Sequence, residues 1–298
     1  MNINKAQQYK VENAVIMAAG LSSRFAPLSY EFPKALLKVK GEVLIERQIR
    51  QLKEVGIDDI TIVVGYKKEL FNYLIDKFKI KIVENPEYNV RNNNSSLYYV
   101  REMLGNTYVC SADNYFTKNV FEPSVNHAYY SAVFEKGRTN EWCITTNETG
   151  LITDVKIGGN NAWVMLGHVF FSEEFSKMFV EILEDIYERP DTASLLWESI
   201  YIDNIKKLPM YIRKYPRETI FEFDTLDELR EFDETYYDNT GSIILTEICK
   251  QLNCRERDIV RTSPIKEDGE TVGFDFSVNG QHYKYNYKNK QIIGGKNQ

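Results

Sequence analysis

The apolar run Ala14-Val-Ile-Met-Ala18 leads straight into Ala19-Gly-Leu-Ser-Ser-Arg24, and Pro33-Lys34 follows ten residues after that arginine. A run of this length ending at a glycine reads as a buried strand that stops in a tight turn. Such a turn exposes successive backbone N–H groups, which bind anions, and Arg24 and Lys34 add two cations. Ala18, Ala19, Gly20, Ser22, Ser23, Arg24 and Lys34 therefore describe a cradle for a polyphosphate. The competing reading is a strand followed by a solvated loop. Gly20-Leu-Ser-Ser-Arg-Phe25 lacks the later glycines of the dinucleotide fingerprint, and no Gly-x-x-x-x-Gly-Lys-Ser/Thr string occurs. A Rossmann NAD site and a P-loop are thereby set aside.

What surrounds this turn alternates between strand-like and helix-like segments, the pattern of a mostly parallel α/β sheet flanked by helices. Strands are expected at residues 14–18, 60–64, 79–83 and 107–111, and helices at 43–55, 67–78 and 97–104. The middle is richer in β signals: 129–135, 152–157 and 162–171 read as three antiparallel strands, with Gly158-Gly-Asn-Asn161 as a separating turn. Helices at 173–187, 193–202 and 225–235 and a short strand at 220–223 follow. Beyond Tyr236 the style changes to a helix at 241–252 and two strands around 271–278 and 282–287. Asn279-Gly280 between those strands is a strong hairpin signal. The expected division is a large domain at 1–235 and a small helix-plus-hairpin appendage at 236–298, ending in a frayed tail at 294–298.

Composition narrows the partners. The chain has 298 residues and a net charge of −6, which argues against duplex nucleic acid, whose binding needs a basic footprint. The polar start shows no apolar core of a signal peptide, and no run is long enough to span a bilayer. Cys110, Cys143, Cys249 and Cys254 form no Cys-x-x-Cys pair, so four reduced thiols in a cytoplasmic protein are expected.

Two carboxylates stand out. Asp113 follows the strand at 107–111 directly, where open α/β sheets line their ligand crevice. Asp224 lies in Phe221-Glu-Phe-Asp-Thr225, ahead of Thr225-Leu-Asp-Glu228, a capping-box string. An Mg²⁺ ion takes one or two such carboxylates and completes its shell with substrate phosphates. Asp113 as a turn former and Asp224 as a capping partner are the competing readings. Phosphate monoesters are mostly dianionic near neutrality, so transfer to one requires no general base. His127, His168 and His282 are accordingly given no catalytic role.

The ordered string Ala18-Ala-Gly20, Arg24, Pro33-Lys34 resembles the signature of the nucleotidyltransferases that activate sugar phosphates and choline phosphate. The resemblance covers about residues 13–235. It implies one Mg²⁺ held by Asp113 and Asp224 together, with Glu222 as a lesser contributor. Arg91-Asn-Asn-Asn-Ser-Ser96 is similar to the Asn-Asn-x-x-Ser step of the choline-phosphate branch. That places Asn92, Asn93 and Ser96 at nucleotide or acceptor phosphate, with helix capping as the alternative. Gly65-Tyr66 matches a string of the same branch and puts Tyr66 beside the base. Asn140-Glu-Trp142 and Trp197-Glu198 resemble acceptor elements of the bacterial CTP:phosphocholine cytidylyltransferases. Asn140, Glu141, Trp142, Trp197 and Glu198 would then form the acceptor site, since aromatic faces and nearby negative charge hold a quaternary ammonium. A core role for either tryptophan is the alternative.

Two departures are visible. Ser111-Ala-Asp113 is less acidic than the family's version, and Ser22-Ser23 stand where many relatives carry glycine. The activity implied is CTP plus phosphocholine giving CDP-choline and pyrophosphate. Alternatives are the same chemistry on a sugar 1-phosphate, phosphoethanolamine or 2-aminoethylphosphonate, or a silent nucleotide-binding regulator. The appendage lies outside the resemblance and reads as a docking or homo-oligomer module.

Overall fold

The computed structural model describes residues 8–294, so the polar start at 1–7 and the tail from 295 lie outside the described residues. Gly294 itself closes a strand, Ile292–Gly294. The backbone forms two compact units, one of Met1–Gly20 with Leu44–Glu222, the other of Leu21–Val43 with Phe223–Gln298.

The first unit is built on a seven-stranded mixed sheet. Its order is Tyr211–Tyr215, Tyr129–Thr146, Ile152–Phe171, Thr107–Ser111, Asn13–Ala18, Ile60–Val64, Lys81–Glu84. Asn13–Ala18 pairs in parallel with both neighbours, Ala18 opposite Val64 and Met17 opposite Ser111. The strand Ile60–Val64 is buried at every position. An uninterrupted β-branched run suits a strand covered on both faces. Helix Glu173–Tyr187 starts where the Ser172 hydroxyl accepts the Phe175 N–H. It lays Phe175, Phe179 and Leu183 onto the sheet, against Phe171, Val169 and Trp197. Each such buried side chain contributes about 1.5–3 kcal/mol, and Phe179→Ala would cost about 3–5 kcal/mol.

Several segments differ from the sequence expectation, among them the helix expected at 193–202, which forms only over Trp197–Asp203. The middle holds two long strands, Tyr129–Thr146 and Ile152–Phe171, in place of the three expected. Gly158 and Asn161 do take positive φ, 83° and 53°, but inside a strand. Pairing slips between Glu135 and Arg138 and again between Thr139 and Trp142, so the turn-like residues serve bulges that bend the ribbon. The segment at 67–78 breaks into a 3₁₀ turn, Lys68–Phe71, and a helix, Tyr73–Phe78. Likewise the helix expected at 97–104 is Asn94–Tyr99 followed by a 3₁₀ turn, Arg101–Met103.

In the second unit a four-stranded antiparallel sheet runs Ile259–Glu267, Glu270–Val278, Gln281–Asn286, Ile292–Gly294. Asn279 and Gly280 close the expected hairpin with φ of 51° and 78°, the double positive φ of a two-residue loop. Helix Ile243–Leu252 is capped by Ser242. Arg230 is 1 % exposed, and its guanidinium donates to the carbonyls of Ile259, Glu256 and Tyr236. That fan of bonds ties helix Leu226–Phe232 to the strands that follow. Among the described residues no helix is long and apolar enough to cross a membrane.

Candidate active site

In the first unit the ends of three adjacent parallel strands deliver the expected residues to one edge of the sheet. Asn13–Ala18 hands on to Ala19-Gly20, Ile60–Val64 to Gly65-Tyr66, and Thr107–Ser111 to Ala112-Asp113. The ends are laced together: Tyr66 N–H donates to Ala19 O at 3.1 Å, and Ala112 N–H donates to Met17 O at 3.1 Å. Ala18 and Ala19 are buried whereas Gly20 is exposed, so the backbone surfaces at the glycine. Gly65 cannot be replaced freely, because a Cβ there would lie 2.6 Å from the Tyr88 side chain.

Asp113 is partly exposed in a turn pinned from below. The buried Gln48 amide donates to Ser111 O at 2.9 Å and to Asn114 O at 2.8 Å, one carbonyl on each side of it. Asn114 also donates to Glu222 Oε2 at 3.4 Å, because Asn114–Phe116 pairs with Ile220–Glu222 and sets those two residues opposite each other. Glu222 is thus brought beside the Asp113 turn. Sequence reasoning missed Gln48, which lies mid-helix with no local mark of its partners.

The Asn-rich string does not cap its helix. Asn93 Oδ1 accepts the Trp197 N–H at 2.7 Å, and its Nδ2 donates to Glu198 Oε2 at 3.1 Å. Tyr130 Oη donates to Glu198 Oε1 at 3.3 Å, while its ring stacks on Trp197 at 5.8 Å. Burial pushes the Glu198 carboxyl up to about 7, with the Asn93 and Tyr130 hydrogen bonds pulling the other way. Ser96 is buried and accepts from Asn85 at 3.2 Å. Trp197 is 1 % exposed, with Phe171 and Phe179 against its edges, and so sits in the core. Asn140, Glu141 and Trp142 lie on the bulged ribbon, the first two exposed and Trp142 partly buried against the core. Tyr130 is a site residue the sequence did not single out.

The second unit holds the cationic turn. Ser22 takes φ 47°, and Ser23–Phe25 then forms one 3₁₀ turn that presents Arg24. Arg24 Nη1 meets Asp224 Oδ2 at 2.8 Å, and Lys34 Nζ lies 3.8 Å from Asp224 Oδ1. The Arg24 side chain is 71 % exposed whereas Lys34 is 5 % exposed. An ion pair so open to solvent contributes at most about 1 kcal/mol, so Arg24 is readily released to a phosphate. Asp224 is held by the expected capping box: Glu228 Oε2 accepts the N–H groups of Asp224 and Thr225, and Thr225 Oγ1 accepts that of Glu228.

Among the described residues no histidine lies at these strand ends. His168 is buried in an aromatic shell, bonded to the Tyr129 and Ser131 hydroxyls, and His127 stacks on Tyr211. Nor, among those residues, is any group of three or more His, Cys, Asp or Glu side chains preassembled for a metal.

Residues 14–147 match the MobA-like NTP transferase domain. The chain is 36% identical over 221 residues to a choline-phosphate cytidylyltransferase of Streptococcus pneumoniae, covering 74% of this chain and 96% of that protein. It is 34% identical to a 2-aminoethylphosphonate cytidylyltransferase of Lancefieldella rimae, covering 78% and 96%. A solved CTP:phosphocholine cytidylyltransferase from Streptococcus pneumoniae superposes with a TM-score of 0.73 at 36% identity, over 76% of this chain and 99% of that one.

Proposed function

Because this chain belongs to the nucleotidyltransferase family that includes the choline-phosphate cytidylyltransferases, we propose that it makes CDP-choline and pyrophosphate from CTP and phosphocholine. The observation that carries this reading is the shared edge of Gly20, Tyr66 and Asp113, with Glu198 braced by Asn93 and Tyr130 in the same unit. A phosphate oxygen of the acceptor attacks the α-phosphorus of the nucleotide, and the bond to the β-phosphate's bridging oxygen breaks. Arg24 and Lys34 neutralise the triphosphate and the departing pyrophosphate. The backbone at Ala18, Ala19, Gly20, Ser22 and Ser23 holds its phosphates. Tyr66 stands at the base, and Asn93 and Ser96 fix the wall between nucleotide and acceptor.

Asp113 and Asp224, with Glu222 as a lesser contributor, would hold the metal. They supply oxygen donors alone, with no thiol or imidazole, which suits Mg²⁺. When bound, the ion draws charge from the phosphates. The acceptor's ammonium rests on Trp142, with Glu141, Asn140 and Glu198 supplying negative or polar partners. Trp197 acts by backing Tyr130.

A primary-amine acceptor such as 2-aminoethylphosphonate is the second reading. It is favoured by Trp197 lying in the core, which leaves one tryptophan for an aromatic cage, and by the comparable identity to the Lancefieldella enzyme. Pyrophosphate release measured across four nucleotides and across phosphocholine, phosphoethanolamine, 2-aminoethylphosphonate and glucose 1-phosphate separates the readings. Asp113→Ala is the control. Fastest turnover with CTP and phosphocholine is expected. Equal rates with phosphocholine and phosphoethanolamine would sink the cage, and no release for any pair would sink the enzyme.

The same reading takes residues 1–235 as the transferase domain and 236–298 as an addition to it, in line with relatives matched along nearly their full length by about three quarters of this chain. It places the enzyme in the cytoplasm, in keeping with four cysteines that form no disulfide. Ile243 and Ile293 on the appendage, 67% and 63% exposed, support self-association there, which light scattering against concentration would test.

A further inference from the structure

Between Arg24 and Lys34 the chain makes one helical turn, Leu28–Glu31, too short to be stable by itself. The appendage holds it. Glu31 Oε1 accepts the Ile243 N–H at 2.8 Å and the Ile244 N–H at 3.3 Å, while Oε2 accepts the Ser242 hydroxyl. Those amides open helix Ile243–Leu252 and have no partner within it, and a carboxylate is the favoured charge at that end. Tyr30 stacks face to face on Tyr287 at 3.7 Å. On the far side of Lys34, Tyr236 Oη donates to Lys38 O at 2.7 Å and Lys40 N–H donates to Asp233 Oδ2 at 2.6 Å. The buried Arg230 fastens this scaffold to the appendage's first strand. Residues 30–31 and 38–40 are thus clamped on both sides of Lys34 by residues 233–287, more than 190 positions away in the chain.

We propose that Glu31 is a positioning residue for Arg24 and Lys34, and that residues 236–298 serve as an intrachain brace for the phosphate turn. This rests on the reading of Arg24 and Lys34 as ligands of the nucleotide phosphates. A turn already ordered before the nucleotide arrives loses less conformational freedom on binding, so loosening the brace weakens nucleotide binding and spares the chemical step.

The test uses the full chain. Glu31→Ala is expected to raise KM for CTP about tenfold, with kcat changed less than about twofold and KM for the acceptor unchanged. Glu31→Gln keeps an oxygen for the two helix amides and restores most of the loss. Tyr30→Ala, which removes only the stack, shifts KM in the same direction by a smaller factor.

Hydrogen exchange without nucleotide is the independent arm: residues 21–37 exchange faster in Glu31→Ala while residues 60–64 keep their protection. Unchanged exchange at 21–37, or apparent kcat falling with the folded fraction while KM for CTP stays unchanged, overturns the brace. A wild-type chain without turnover for any nucleotide refutes the activity instead, and the exchange arm still decides the brace.

Discussion

Replacing Glu198 with glutamine tests the electrostatics of the proposed acceptor side directly. The carboxyl is pushed up to about 7 from an ordinary 4.5, chiefly by burial. The folded protein therefore holds a proton there that the unfolded chain has already lost. Stability from this group is full below 4.5 and is lost as pH rises through 7. Full burial would put the loss near 3 kcal/mol at high pH, and partial exposure of the residue trims it to about 2 kcal/mol.

Glutamine fits the same bonds. Asn93 Oδ1 is committed to the Trp197 N–H, so Asn93 must donate through Nδ2, and the carbonyl of the introduced amide can accept. The N–H₂ of that amide then donates to Tyr130 Oη, whose hydrogen is free to turn. Urea unfolding at several pH values from 5 to 8.5 gives the comparison. The variant should match wild type near pH 5 and exceed it by about 2 kcal/mol at pH 8.5. A variant less stable than wild type at pH 8.5, or one with the same pH slope, would refute the assignment of a protonated carboxyl. Activity should move the other way. A cationic acceptor prefers the ionised carboxylate, so acceptor KM falls from pH 6 to 8 in wild type, and in Glu198→Gln only the part due to the acceptor phosphate's own ionisation at about 6 is left.

Three further outcomes follow from the geometry. Gln48→Leu strips the carbonyls of Ser111 and Asn114 of their shared donor, which should cost about 1–3 kcal/mol in thermal unfolding and lower kcat. A fully active Gln48→Leu enzyme would show that the Asp113 turn needs no support. Trp142→Ala should raise KM for phosphocholine about fivefold and leave KM for CTP unchanged, read by pyrophosphate release. His168 is pushed down to about 3, first by burial and then by the Arg213 charge, so it stays neutral when folded. Its contribution is whole above 6.5 and is lost at up to about 1.4 kcal/mol per pH unit as pH falls toward 3. That slope opposes the one from Glu198, so each variant is compared with wild type at the same pH. His168→Asn should flatten the acid limb of an unfolding series.

Where a signal is local, the sequence carries it. The strand Ile60–Val64 falls where its β-branched run places it, Thr107–Ser111 where a strand ending at Ala112-Asp-Asn114 is expected, and Glu173–Tyr187 where apolar residues recur at helical spacing. Thr225 and Glu228 close the capping box their spacing announces. The ribbon is misdivided by sequence alone because Gly158 and Asn161 suit a bulge as well as a turn, and positive φ does not distinguish them. Ile259–Glu267 escapes the pattern reading, although Asp268-Gly269, with φ of 49° and 85°, closes its hairpin much as Asn279-Gly280 closes the next. Pro264 and the flanking charges dilute its strand pattern. The bonds that hold Asn93 in the fold are not legible in the sequence, since its partners Trp197 and Glu198 lie more than a hundred residues away. Glu31 carries no local mark at all, because its partners are 211 to 213 positions distant.

The bent ribbon has a consequence for how such catalysts diversify. Its inner ends, at Ala132, Val133 and Val169, are locked in the core, while residues 136–141 project into solvent or near it. Asn140 and Glu141 therefore ride on a stretch whose misfit the central strands scarcely feel, with Trp142 at its junction with the core. On the proposed reading of that stretch as acceptor site, exchanging it between homologues should swap the molecule that receives the nucleotide while the buried central strands pass through untouched.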